Sequence, residues 1–106
     1  MDRVELFNEV VKAASPIGVE KARAVSLDDD LIALGLDSLD TLLVSIYYCD
    51  IFGIPEEKAK ELRPTVIDLG EGKSARRMLL SSVYEFVDAH KTREPATLEE
   101  ALKRIR

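Results

Sequence analysis

Cysteine and histidine occur once each, as Cys49 and His90, and that scarcity excludes several classes of protein at the outset. One thiol builds no internal disulfide framework, so the chain is expected to be a soluble cytoplasmic protein. The one histidine, His90, lies far along the chain from Ser38, and no triad is recognisable from it. The hydrolase elbow Gly-x-Ser-x-Gly is also missing, since Leu36 and Asp40 stand where its glycines would flank Ser38. A non-enzyme is therefore expected. Positive charge is in deficit, 15 Lys and Arg against 20 Asp and Glu, for a net charge of −5. Nucleic acid would need a basic face, whereas an acidic chain suits docking onto basic enzymes. No apolar run approaches the length of a membrane span, and the opening Met1-Asp2-Arg3-Val4-Glu5 is charged too early for a secretory leader. Metal-ligand spacing is absent as well: Asp28-Asp29-Asp30 lacks the alternating ligands, the glycine and the closing glutamate of a calcium loop. It reads as a solvated loop that caps a helical turn over residues 31–34. A length of 106 residues gives one domain, residues 1–106, with one modest core.

What is present centres on Leu31-Ile32-Ala33-Leu34-Gly35-Leu36-Asp37-Ser38-Leu39-Asp40. Gly35 permits a tight or left-handed turn, and Asp37 and Ser38 are good helix starters. Ser38 thus falls at a helix N-terminus, where negative charge such as an esterified phosphate is stabilised. The run Leu34-Gly35-Leu36-Asp37-Ser38-Leu39-Asp40, with a following helix that ends at Phe52-Gly53-Ile54-Pro55-Glu56-Glu57, resembles an acyl carrier protein at its 4′-phosphopantetheine attachment site. The likeness covers residues 31–62 and, more loosely, the first helix.

That resemblance implies an all-α fold: an acyl-carrier-like helical bundle, here with an additional helix after the third. It implies that Ser38 carries the 4′-phosphopantetheine cofactor, with Asp37 and Leu39 beside it, and that the terminal thiol of the arm holds an acyl chain as a thioester. Ser38 then needs no activation by its own chain, because a separate phosphopantetheinyl transferase (holo-carrier synthase) supplies base and magnesium. The other implied partners are acyl-loading and acyltransferase enzymes, met by a monomer. Asp40, Leu42, Leu43, Ile46, Cys49 and Asp50 are the implied partner-binding residues. Val44, Tyr48 and Phe52 would face inward toward an acyl cavity, with Ser45 beside it and Leu80 and Val83 lining it from the added helix. For each apolar residue, ordinary core packing is the competing reading, since helical periodicity does not separate cavity from core. The same holds for Cys49, a small hydrophobe with no metal or catalytic companion.

The rest of the chain reads as support. Residues 2–14 form a helix capped by Asp2, with Val4, Leu6, Phe7, Val10, Val11 and Ala14 as its apolar stripe, and Ser15-Pro16-Ile17-Gly18 stops it. Residues 19–30 link onward, with a short turn over 19–24. The helix over 38–52 is apolar nearly all round and lacks most of the acids usual in carriers. Such a helix is covered on more than one side or offers an apolar patch. Pro55-Glu56-Glu57 opens a short helix that Pro64 ends.

Thr65-Val66-Ile67-Asp68-Leu69 before Gly70-Glu71-Gly72-Lys73-Ser74 looks like a strand entering a phosphate loop. The motif needs a glycine where Ile67 stands, so a flexible turn capped by Ser74 is expected instead. An amphipathic helix follows over 75–90, then a polar break and a final helix opened by the capping box Thr97-Leu98-Glu99-Glu100. The segment 97–105 fits the family's last helix better than 65–69, so residues 64–94 read as an inserted loop and helix, with a C-terminal extension as the reverse assignment. The added helix would cover the apolar second helix and deepen the cleft between them. The expectation is an acyl carrier in fatty acid or specialised lipid biosynthesis, with lipid A or lipopolysaccharide acylation as the specialised case. Aminoacyl, peptidyl or polyketide carriers and a non-catalytic helical adaptor are the alternatives.

Overall fold

The computed structural model describes residues 2–14 and 23–105. Helix α1, Arg3–Ala14, begins where Asp2 Oδ1 accepts the amides of Val4 (2.9 Å) and Glu5 (3.1 Å), as its sequence implies. It buries Leu6, Phe7, Val10 and Val11, and also Asn8, whose side chain bonds both the N–H and the C=O of Ala24. The stop signal at residues 15–18 lies outside the described residues, as does most of the turn expected over 19–24.

Helix α2, Ser38–Phe52, is the centre of the fold and packs against α1, against the 3-10 helix Glu56–Glu61 that follows it, and against a third helix, α3, Leu80–His90. Its C-terminus is closed by backbone and side chains alike. Gly53 takes φ +66 and, with Ile54, returns its N–H to the Cys49 carbonyl. A Cβ at Gly53 would run into Thr92 Oγ1, so the site demands glycine on space as well as on conformation. Thr92 and Arg93 donate their amides to the Phe52 carbonyl at 2.9 and 3.2 Å, and the Arg93 guanidinium donates to the carbonyls of Asp50 and Ile51. A cation therefore sits at the negative end of the helix and satisfies carbonyls that have no partner within it.

An all-α bundle is contradicted. Residues expected to form a flexible turn and the start of a helix form a two-stranded antiparallel hairpin, β1 Thr65–Gly70 and β2 Lys73–Arg77. The physical reason is local. β-Branched Thr65, Val66 and Ile67 favour extended backbone, and Gly70, Glu71 and Gly72 all adopt positive φ, which builds a tight two-residue reversal at Glu71-Gly72. A bulge between Asp68 and Gly70, where Asp68 Oδ1 accepts the Gly70 N–H at 2.8 Å, completes the turn. Ser74 lies within β2 and caps no helix. Helix α3 starts at Leu80, five residues after the expected Ala75. No side chain caps it: the carbonyls of Asp29 and Leu27 accept the amides of Leu80 (3.0 Å) and Ser81 (2.8 Å) instead. The acidic loop thus caps α3 through its backbone, while Asp30 Oδ1 bonds both Ile32 N and Met78 N.

The short helix α4, Leu98–Leu102, has Thr97 as its cap, with Thr97 Oγ1 accepting the Glu100 amide at 3.1 Å. The return arm of the box reaches Ala96 N, one residue earlier than the motif prescribes. Buried side chains from all four α-helices form one core.

Within that core Tyr48 and Tyr84 meet edge to face at 5.5 Å with their hydroxyls 2.9 Å apart. The Tyr84 hydroxyl donates to the Arg3 carbonyl at 2.7 Å, which leaves Tyr48 as the donor between the two rings. Tyr84→Phe strands the fully buried Tyr48 hydroxyl, whereas Tyr48→Phe leaves Tyr84 its bond to Arg3. Urea titrations should therefore show Tyr84→Phe destabilised by about 1–3 kcal/mol and Tyr48→Phe by clearly less. Equal losses would contradict this donor order.

Arg3 covers the Tyr84 ring at 4.6 Å and forks onto Asp88 at 2.7 and 3.0 Å. That pairing, reinforced by Lys91, holds the Asp88 carboxyl at about 2, below its ordinary range. A depressed carboxylate contributes stability that is complete above its unfolded value near 4 and is lost as pH falls through the folded value. Both partners are partly exposed, so the contribution is at most about 1 kcal/mol. Melting curves of Asp88→Asn and the parent should differ above pH 4 and converge toward pH 2.

Candidate functional site

The turn over residues 31–35 and the cap that follows it set Ser38 apart from the rest of the surface. Leu31 and Leu36, 0% and 2% exposed, pin the turn to the core from both sides. Between them Leu36 N bonds the Leu31 carbonyl and Gly35 N the Ile32 carbonyl, each at 3.1 Å, with Gly35 at φ +99. With both leucines turned inward, Asp37 and Ser38 face solvent. Asp37 caps α2 in a complete capping box: Asp37 Oδ1 accepts Asp40 N at 2.8 Å, and Asp40 Oδ2 accepts Asp37 N at 3.1 Å. No described residue hydrogen-bonds the Ser38 hydroxyl, while the Ser38 carbonyl accepts Thr41 Oγ1 at 3.0 Å.

An open groove of about 280 Å³ begins at Ser38. One wall is the α2 face Ser38, Thr41, Leu42 and Ser45. The other is the returning 3-10 segment and its exit, with Ala59, Lys60, Leu62, Arg63 and Pro64. Its floor is partly polar but internally satisfied: Ser45, 1% exposed, donates to the Thr41 carbonyl at 2.6 Å. Arg63 folds its Nε onto the Lys60 carbonyl at 2.6 Å, so two cations stand on the wall opposite the serine. The groove offers an anchored hydroxyl, an apolar lining and positive charge along one track.

The residues expected to bind partners divide along α2. Leu39 and Leu42, 62% and 49% exposed, form an open apolar pair beside the serine. Asp40, Leu43, Ile46 and Asp50 are half-buried. Cys49 is 1% exposed and makes no partner surface, because the chain folds back at Gly53 and the 3-10 helix closes over that end of α2. Of the residues expected around an acyl cavity, Val44, Tyr48, Phe52, Leu80 and Val83 are all buried in the core, and none lines the groove. Tyr48 stacks on Phe52 at 5.9 Å and bonds Tyr84, so these side chains pack against one another. Lys60, Leu62, Arg63 and Pro64 escaped the sequence reading. Their signal was faint: two cations on a segment that opens with acids.

His90 does not line the groove; its Nε2 lies 3.3 Å from Glu61 and its ring rests against Phe86. Among the described residues no group of three or more His, Cys, Asp or Glu is placed to hold a metal ion, and no helix is long and apolar enough to cross a membrane. No family model matches the chain, and no curated protein or solved structure matches it.

Burial, with the charges of Asp50 and Glu56 beside it, pushes the Cys49 thiol up to about 11. At neutral pH it is a packed thiol, and reaction needs the helix to open. A disulfide reagent should label Cys49 only at the rate of unfolding, with full labelling in denaturant. Labelling of the folded chain at the rate of a free thiol would place Cys49 back on the partner face.

Proposed function

We propose that this chain is a carrier whose Ser38 receives 4′-phosphopantetheine, in fatty acid or specialised lipid biosynthesis, lipid A acylation included. The observation that carries the reading is a solvent-facing serine, its hydroxyl bonded by no described residue, in the first turn of a doubly capped helix and lining a groove. In the attachment step Ser38 Oγ forms a bond to the pantetheine phosphorus of coenzyme A. The pyrophosphate bond breaks, adenosine 3′,5′-bisphosphate leaves, and the serine proton passes to a base of the transferase. The arm, once attached, supplies a thiol that carries acyl groups as thioesters.

The chain's own residues fit that group in three ways. Ser38 stands at the positive end of α2, which favours a phosphodiester. Thr41, Leu42, Ser45 and Leu62 offer a mixed polar and apolar track for an amide-containing arm, and Lys60 and Arg63 lie on the opposite wall where a phosphate charge is welcome. Asp37 and Asp40 each accept the other's amide, which fixes the turn that carries the serine, and no described residue takes up the serine hydroxyl.

The exposed pair Leu39 and Leu42 favours a second reading, a helical adaptor that binds a partner through this face without modification. Intact mass decides between the two. After incubation with coenzyme A, magnesium and a broad-specificity phosphopantetheinyl transferase, the parent chain should gain one phosphopantetheine and Ser38→Ala none. No gain in the parent, with the enzyme active on another carrier, would sink the carrier reading and favour the adaptor.

A further inference from the structure

The hairpin contributes little to the core. Beyond its half-buried Ile67 and Ala75 both strands are exposed, Val66 and Leu69 at 66% and 62%, and each strand packs chiefly against the other. A two-stranded ribbon of this kind is marginal in water by itself. Among the described residues neither outer edge is paired, and the two edges differ in charge. Strand β2 carries Lys73, Arg76 and Arg77 within five residues, the arrangement that blunts an edge against pairing. Strand β1 carries one charge, Asp68, amid Thr65, Val66, Ile67 and Leu69.

We propose that β1 pairs antiparallel with β1 of a second copy of this chain, giving a two-fold, four-stranded sheet in the order β2-β1-β1-β2. The reading is independent of the carrier proposal and replaces the expectation of a monomer. A two-fold axis normal to the sheet keeps each residue on its own face, so only residues of the same alternation meet across the new seam. With the axis at Ile67, Ile67 meets its own copy, Thr65 meets Leu69, and Val66 meets Asp68. Val66 is also the in-chain neighbour of Arg76, and Asp68 that of Ser74. Along that face the order becomes Arg76, Val66, then Asp68 and Ser74 of the second copy. Arg76, which makes no ion pair among the described residues, can reach over Val66 to the second copy's carboxylate, and symmetry repeats the contact. One Asp68 oxygen is held by Gly70 N, and the other is left for the arginine. Pairing through β2 would instead set cations against cations. The seam is short, so association is weak and concentration-dependent.

Sedimentation velocity over a concentration series tests this. The parent should move from 11.8 kDa toward twice that mass as concentration rises. Val66→Glu, at an exposed position that leaves the core intact, sets a carboxylate against the second copy's Asp68 and should stay monomeric with an unchanged far-ultraviolet circular dichroism spectrum. Arg76→Glu, which turns both cross-seam attractions into repulsions, should weaken the dimer by about tenfold, while Arg76→Lys retains it. A chain that remains monomeric throughout overturns the proposal and leaves the hairpin to a different partner. A dimer indifferent to Val66→Glu and Arg76→Glu overturns it too, and would point to the Leu39–Leu42 face.

Discussion

The fold turns on one buried hydroxyl. Tyr48 lies in the last third of the central helix, fully buried, and its O–H must be spent inside the protein. Burial drives its ionisation well above the ordinary tyrosine range, so it acts only as a neutral donor. Its acceptor is Tyr84, which passes its own proton to the backbone of α1 at Arg3. Three helices are joined by two hydrogen bonds that work only in one direction. Arg3 then returns over the Tyr84 ring to Asp88, one turn further along the helix that bears Tyr84. The helix that follows the hairpin is thereby placed on α2 by directional contacts, where apolar matching alone would allow it to slide.

Held in this way at Tyr48, α2 is also closed at both ends. At its start, two aspartates exchange amide bonds; at its finish, a left-handed glycine and the Thr92-Arg93 pair take up the last carbonyls. Neither device is expensive in conformational freedom, because each uses residues that the turns require in any case. Their joint effect is to satisfy the backbone at both ends of the helix that carries the first-turn serine. On the carrier proposal, such positioning would serve a separate modifying enzyme, which would have to find the hydroxyl without help from a neighbouring base.

Much of that was legible in the sequence because the signals are local. Asp2, Asp37 and Thr97 announce their helices by hydrogen bonds spanning three residues, and Gly53 with Pro55 marks where α2 ends. Cys49 is buried, as its reading as a small hydrophobe has it; its place on the partner face fails because helical spacing assigns a face without telling what folds back over it. The hairpin was obscured for a different reason. Thr65-Val66-Ile67 carries strand character, but both faces are wet, so no apolar alternation supports it, and Ala75-Arg76-Arg77 is good helix-forming sequence. What settles the start of α3 lies elsewhere in the chain: the carbonyls of Leu27 and Asp29 and the bridge between Asp30 and Leu79. The far wall of the groove was equally hidden, since Lys60 and Arg63 meet Ser38 only through the reversal at Gly53.

The hairpin and the serine are closer in construction than in sequence. Pro64 lines the groove and leads directly into β1, so the outgoing strand is rooted in one wall of the site. The incoming strand ends at Arg77, and the next residue, Met78, has its amide held by Asp30 Oδ1 and its carbonyl accepting Leu31 N at 2.7 Å. Leu31 opens the turn that presents Ser38. The ribbon therefore leaves from the groove's outer wall and returns to the base of the serine's own turn. Pairing that stiffens the ribbon bears on both supports together, because no flexible linker separates either end of the hairpin from the site.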